Sequence, residues 1–320
     1  MSNLLEEREY YKPFNYPWAF EYYQTQQQMH WMPAEVPLAD DLRDFRDKLT
    51  PENRALVSSI FRFFTQADVD VCCGYAKHYL PTFKQPEIRM MLASFANMEG
   101  VHQEAYSLLL ESLGFPDDEY QKFTQHKEML DKHEYLANFG MSSKMNIAKT
   151  MAVYSAFTEG VQLFSSFAIL LNFPRHNLMK GMGQIVTWSI RDETLHVEGM
   201  SRLFRTFIQE NPELWNDELK YEIYCAAERT VELEDAFIDL CFEGAEIPDL
   251  TPEEVKQYIR YIADRRLLGI GMKKIFNSKH NPLPWLDYML NGVEFTNFFE
   301  NRATEYAKAS TTGNWQDIFK

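Results

Sequence analysis

Met98-Glu99-Gly100-Val101-His102-Gln103-Glu104-Ala105-Tyr106-Ser107 and Ser189-Ile190-Arg191-Asp192-Glu193-Thr194-Leu195-His196 each set a glutamate three residues before a histidine inside a long apolar stretch. At helical spacing, i and i+3 share a face, so each pair presents a carboxylate beside an imidazole. By count alone, two such pairs in a chain with 8 histidines mean little. Register decides. Phe95, Glu99, His102, Tyr106 and Leu109 follow alternating steps of four and three, the core-facing stripe of a bundle helix. Val186, Ser189, Glu193, His196, Met200 and Leu203 follow the same rule.

Two further acids interrupt apolar stripes. Asp68 stands among Phe61, Phe64, Val71 and Tyr75, and Glu159 among Ala152, Ala156 and Leu163. Asp70 falls off its stripe, so Asp68 is the candidate. Burying this many ionisable groups is costly unless they are compensated. A pair of metal ions would offset the cost, with Asp68, Glu99, His102, Glu159, Glu193 and His196 as a dinuclear ligand set. One acid from each of two helices, with Glu-x-x-His from each of two others, is the arrangement of ferritin-like dinuclear carboxylate bundles. Ligand type does not separate iron from manganese, so Fe/Fe, Mn/Mn and Mn/Fe stay open.

The rest of the chain fits an all-α fold. At 320 residues and 45% hydrophobic content it can bury a large core, and its 14 prolines fall between long uninterrupted segments. The expected architecture is a ferritin-like bundle of about eight long helices, at roughly 51–80, 87–113, 117–138, 145–171, 176–209, 213–243, 252–276 and 285–300. Thr50-Pro51-Glu52 reads as an N-cap followed by proline at the first helical position. Residues 1–37, aromatic-rich and broken by Pro13, Pro17, Pro33 and Pro37, read as an arm without a regular element. Residues 38–300 form the helical domain, and 301–320 a flexible tail.

A net charge of -15 disfavours non-specific binding to nucleic acid. Cys72, Cys73, Cys225 and Cys241 show no zinc-type spacing and read as buried, reduced thiols. No charge-free apolar run reaches about eighteen residues, and no signal-peptide pattern opens the chain. A soluble, cytoplasmic protein is expected, with no membrane and no nucleic-acid partner. Tyr106, four residues after His102 on the same face, is either a core filler that hydrogen-bonds a ligand or a phenol oxidised by the cluster. Asp192 lies one turn before His196, where a carboxylate can orient a ligating imidazole and relay protons. Trp31 lies in the arm and by itself fits surface packing equally well.

At these residues the chain resembles the small (β) subunit of class I ribonucleotide reductases. The likeness is carried by the two stretches quoted above, by Phe63-Phe64-Thr65-Gln66-Ala67-Asp68, and by Phe157-Thr158-Glu159-Gly160. It extends from Trp31 to the aromatic, acidic C-terminus. The resemblance implies that Asp68, Glu99 and His102 bind one metal, and Glu159, Glu193 and His196 the other, with Glu99 among the bridging ligands. Tyr106 corresponds to the family's radical tyrosine. Trp31 and Asp192, with His102, match the chain that moves an electron and a proton towards the partner subunit, and Tyr306 matches the tail tyrosine that passes the radical on. Trp315 to Phe319 would dock on the large (alpha) subunit. The family's activity is generation and storage of a one-electron oxidant that starts the reduction of ribonucleotides on that subunit. A homodimer is implied, and a flavoprotein activator is left open. Two positions depart from the pattern: Ser189 stands where isoleucine is common, and Leu163 where phenylalanine often is. The oxidant's seat, on Tyr106 or on the metals, therefore stays open. Another dinuclear carboxylate oxidase (a desaturase, a hydroxylase component or a ligand-binding oxidase) would use the same six ligands on a bound organic substrate. A third reading is an iron-storage or scaffold protein.

Overall fold

The structure, a computed structural model, describes residues 3–116, 120, 127–136, 140–245 and 247–290. Met1–Leu283 form one unit and Pro284–Lys320 a second, of which 284–290 are helical. Among the described residues all regular structure is helical.

Helix α1 spans Pro17–Gln28 and α2 spans Ala39–Asp47. Helix α3, Pro51–Gly74, starts where the sequence predicts: Thr50 Oγ1 accepts from Asn53 N at 3.1 Å, with Pro51 at the first helical position. It continues through a π-turn at Tyr75–Tyr79 to a last turn, Leu80–Thr82. After a short link, α4, Pro86–Ser112, packs along α3, and Gly114 at φ 83° ends it in the left-handed region that glycine tolerates. Helix α5 spans Lys127–Leu136 and α6 Lys144–Val153; a π-turn at Tyr154–Thr158 and a single turn, Glu159–Val161, extend α6. Helices α7 (Phe164–Arg175), α8 (Lys180–Glu210), α9 (Asp217–Phe242) and α10 (Pro252–Gly269) complete the unit.

The bundle forms where α3, α4, the 144–161 segment and α8 pack together. Their facing side chains are the core: Phe61, Phe64, Phe95, Phe157, Met182 and Leu203 are all 0% exposed. Burying one such side chain contributes about 1.5–3 kcal/mol. Lys144–Arg175 is long and apolar enough to cross a membrane by composition, but its apolar window is entirely buried inside the fold. It is a core segment.

Helix α8 carries Ser189, Asp192, Glu193 and His196, and its start is fixed by α2. Asp41 accepts from Gly181 N at 2.9 Å and from Met182 N at 2.7 Å, and Asp44 accepts from Met179 N at 3.0 Å. These carboxylates satisfy amide groups left unpaired at a helix start and complement its positive end. Gly181 permits the approach: a Cβ there would lie 2.8 Å from Pro37 O.

Several expectations change. Among the described residues, ten α-helices of nine residues or more lie within Met1–Leu283, with a further helical stretch at 284–290, against about eight expected. The arm contains α1, because Pro17 takes the first helical position, where proline initiates a helix rather than breaking it. Helix α1 then packs along α4, so this part of the arm belongs to the bundle. Helix α2 was hidden by its acidic sequence. The expected 145–171 helix is broken between Glu159–Val161 and Phe164–Arg175. The expected 252–276 helix stops at Gly269, because the buried Asp264 carboxylate gathers the amides of Ile275, Phe276 and Ser278 into a loop. Parts of the 117–138 and 285–300 expectations, together with the 301–320 tail and Tyr306, lie outside the described residues. All four cysteines are free as expected, but only Cys241 is buried; the other three are half-buried.

Candidate metal centre

Asp68 from α3, Glu99 and His102 from α4, Glu159 from the turn after the second π-turn, and Glu193 and His196 from α8 meet in the core, each at most 2% exposed. All six predicted ligand residues thus come together. They form two overlapping groups. Ligand atoms of Asp68, Glu99, His102 and Glu193 lie within 4.8 Å of one another, as do those of Glu99, Glu159, Glu193 and His196. Glu99 and Glu193 belong to both. The π-turn before Glu159 adds a residue to the helical turn and re-aims the side chains that follow it.

Both imidazoles turn Nδ1 towards the acids. His102 Nδ1 is 3.6 Å from Glu99 Oε2 and 3.4 Å from Glu193 Oε1. His196 Nδ1 is 2.9 Å from Glu99 Oε1 and 3.8 Å from Glu193 Oε2. These approaches do not satisfy the group, since Asp68 Oδ2, both Glu99 oxygens, Glu193 Oε2 and His196 Nδ1 are buried without a well-formed hydrogen bond. Orphaned buried oxygens are rare in native proteins. Here they converge on one space with two imidazole lone pairs, so the donor set fits two divalent cations.

The electrostatics agree. Burial, with the charges of Glu99 and Glu193, pushes the Asp68 carboxyl well up. Burial and the same kind of carboxylate repulsion raise Glu159 and Glu193. Burial also opposes ionisation of Glu99, yet His102 and His196 hold it down at about 2. His102 is raised despite burial by Asp192, Glu193 and Glu99. Without cations, the centre has to hold protons in their place.

The far side of each imidazole is anchored as well. His102 Nε2 lies 3.2 Å from Asp192 Oδ2, which also accepts from Trp31 Nε1 at 2.7 Å. Trp31 is 3% exposed and stacks on His102 with ring centroids 6.0 Å apart, so surface packing is ruled out for it. Gln26 of α1 closes a second branch: its Nε2 donates to Asp192 Oδ1 at 3.3 Å, and its Oε1 lies 3.1 Å from His196 Nε2. With Nδ1 turned to the acids, a proton on each Nε2 would let His102 donate to Asp192 Oδ2 and His196 to Gln26 Oε1, giving every bond in this network one donor and one acceptor.

Tyr106 is 1% exposed and donates to Ser189 Oγ at 3.0 Å. Phe64 and Phe61 wall its ring at 4.6 and 6.5 Å. Burial and the nearby Asp68 charge push the phenol's pKa far up, so it stays protonated. Leu163 is buried at the start of α7.

Three residues escaped the sequence reading. Gln26 lies in a polar Gln-Thr-Gln-Gln-Gln run that reads as solvated. Trp188 sits 5.1 Å from Trp31 between ring centroids and is visible only in three dimensions. Arg266 Nε donates to Gly160 O at 2.9 Å, beside Glu159, from a helix with no sequence link to the cluster.

Comparison with known proteins gives the same answer. The family model for ribonucleotide reductase, small chain, matches residues 8–282. A probable ribonucleoside-diphosphate reductase small subunit of Invertebrate iridescent virus 6 is 45% identical, over 99% of this chain and 99% of its own. The ribonucleoside-diphosphate reductase subunit beta of Chlamydia pneumoniae is 32% identical, over 94% of this chain and 90% of its own. The ribonucleotide reductase R2 subunit from Clostridium botulinum shares the fold, with a TM-score of 0.81 at 22% identity over 86% of this chain and 89% of that one. With the match running through the cluster and the helices that build it, the chain belongs to the ribonucleotide reductase small-chain family.

Proposed function

We propose that the chain is the radical-generating small subunit of a ribonucleoside-diphosphate reductase. The observation that carries this is the pair of overlapping buried acid–imidazole groups, joined through Asp192 to Trp31. Asp68, Glu99 and His102 would hold one ion, and Glu159, Glu193 and His196 the other, with Glu99 and Glu193 shared. Once bound, two iron or manganese ions would supply one-electron oxidising power after activation by an oxygen species.

The chain's own residues then do three things. Phe61 and Phe64 keep water from Tyr106, the candidate seat of the oxidant. Ser189 holds the phenolic proton's direction and can turn its own hydroxyl to donate once that proton has left. Asp192 Oδ2 faces both the His102 and the Trp31 N–H groups, so an electron passing Trp31 can be matched by a proton shift at one carboxylate. A stored oxidant needs an exit to a distant partner, and this continuous link favours a reductase over an oxidase that acts on a substrate bound beside the metals.

Ribonucleotide chemistry would occur on the large subunit, docked through residues 301–320, with Tyr306 as the relay at the interface. The small subunit would act as a cytoplasmic homodimer, and a flavoprotein activator would be a further partner. The test is metal analysis with electron paramagnetic resonance before and after oxygen. Uptake of two ions per chain and a one-electron oxidant are expected; a protein that takes up no iron or manganese overturns the reading.

A further inference from the structure

The Trp31–Asp192 network reaches His102 directly and His196 through Gln26. Three tyrosines with no part in it start from Tyr75, which lies against Glu159 and the His196 ring. Tyr75 is 1% exposed and meets the His196 ring edge-on at 6.4 Å between centroids. Its hydroxyl faces the Glu159 carboxylate without a well-aligned hydrogen bond. Tyr79 follows at 5.6 Å, ring to ring, and Tyr154 at 6.1 Å from Tyr79. Tyr154 in turn contacts half-buried His78 at 6.4 Å. The series therefore runs from the centre to the protein surface without a gap.

Two independent features show that this arrangement is built. Tyr75 and Tyr79 bound the first π-turn, and Tyr154 opens the second, the one that delivers Glu159. Such turns cost helical regularity and concentrate at functional positions. Gly74 leaves room for the Tyr154 ring: a Cβ there would lie 2.8 Å from Tyr154 Cε1. A core that needed only apolar filling would place phenylalanine at these positions, because each buried phenol hydroxyl has to be desolvated.

We propose that Tyr75, Tyr79 and Tyr154 form a second electron route, which carries single electrons inward from a small soluble reductant at the His78 surface to the Glu159–His196 end of the centre. The reductant is a one-electron donor of the enediol or thiolate class. The oxidised centre takes one electron from Tyr75, whose proton passes to the facing Glu159 carboxylate. Tyr154 then gives an electron to Tyr75 across the Tyr79 ring, Tyr75 takes its proton back from Glu159, and the Tyr154 proton leaves to solvent at the His78 surface. The donor last returns one electron and one proton to Tyr154, so the three phenols end unchanged: the donor has lost a hydrogen atom, the centre has gained one electron and solvent one proton. The route lets an idle, oxidised subunit be returned to its resting state without the large subunit.

This inference rests on the function proposed above, and its test separates the two. The full-length protein is loaded with ferrous iron and oxygen, then mixed with ascorbate in the absence of large subunit, and the oxidised signal is followed by freeze-quench electron paramagnetic resonance. Tyr154→Phe keeps the ring packing but removes the oxidisable phenol. Its metal content and initial oxidised yield should match the wild type, while reduction by ascorbate slows by about tenfold or more. In a second arm without ascorbate, peptide mass spectrometry after prolonged oxygen exposure should find added oxygen on Tyr154 in the wild type. Wild-type reduction rates in Tyr154→Phe, or oxidation products that spare Tyr154, would overturn the route. Failure of the wild type to form any oxidised centre would instead overturn the function on which it rests.

Discussion

Tyr106 and Ser189 bind each other across two bundle helices, the phenol of α4 donating to the hydroxyl of α8 at 3.0 Å. The bond puts a polar partner in a pocket otherwise closed by Phe61 and Phe64. It ties the redox properties of the tyrosine to one small side chain.

Ser189→Ala removes that partner and leaves the phenol unpaired at a cost of about 1–3 kcal/mol. If the oxidant resides on Tyr106, high-field electron paramagnetic resonance should show the signature of a phenoxyl that has lost a hydrogen bond. An unshifted spectrum would place the unpaired electron elsewhere.

Tyr106→Phe should abolish any tyrosyl signal while leaving metal content intact, because its ring packs among aromatics rather than holding the ions. Turnover with the large subunit should vanish with the signal. Undiminished turnover would mean that the metals themselves keep the oxidant.

Glu99 and Glu193 belong to both ligand groups, whereas Asp68 and Glu159 each belong to one. Glu193→Ala should therefore weaken both ions, and Asp68→Ala mainly one. Metal titration by calorimetry checks this; equal losses in the two variants would contradict the shared positions of Glu99 and Glu193.

Metal removal should change how stability depends on pH. Burial first, and carboxylate repulsion second, raise Asp68, Glu159 and Glu193, and His102 is also raised, so the metal-free native state holds more protons than the unfolded chain near neutrality. Such groups stabilise fully below their unfolded values and lose that contribution as pH climbs through the folded ones. Glu99 and Asp192 are held low and act with the opposite sign, but only in acid, below about pH 5. The melting temperature of chelated protein should then fall as pH rises above about 5, where the unfolded carboxylates are already ionised, and bound metal should flatten the slope. Calorimetry on both forms decides; parallel curves would contradict the proton-for-metal exchange.

Asp192→Asn keeps the shape but weakens the acceptor that orients His102. Metal affinity or turnover should drop by about 10–100-fold. Trp31→Phe should leave metal binding and formation of the oxidant alone and stop turnover with the large subunit. Loss of metal in Trp31→Phe would make the tryptophan a packing residue instead.

The buried acid–imidazole cluster was legible because each of its six residues interrupts an apolar stripe, and periodicity alone places such a residue inside. Trp31 was legible only through resemblance, since an isolated tryptophan among prolines has no period. Gln26 was not legible at all: α1 is a polar helix whose buried residues include only Ala19 and Gln26, so it shows no stripe to read. The π-turns were equally silent, because each changes register by one residue without any change in composition. Pro17 misled by its familiar role as a breaker, although its position at a helix start made it an initiator.

Helix α8 has a further consequence. Trp188, Ser189, Asp192, Glu193 and His196 all ride on a single rod whose start is clamped by Asp41 and Asp44. Adding or removing one residue between that clamp and position 188 would swing all five side chains together by about 100° around the axis. Single-residue insertions and deletions in this segment are therefore closed to the protein in a way that a point substitution at any one of the five positions is not, since each of those disturbs one side chain only.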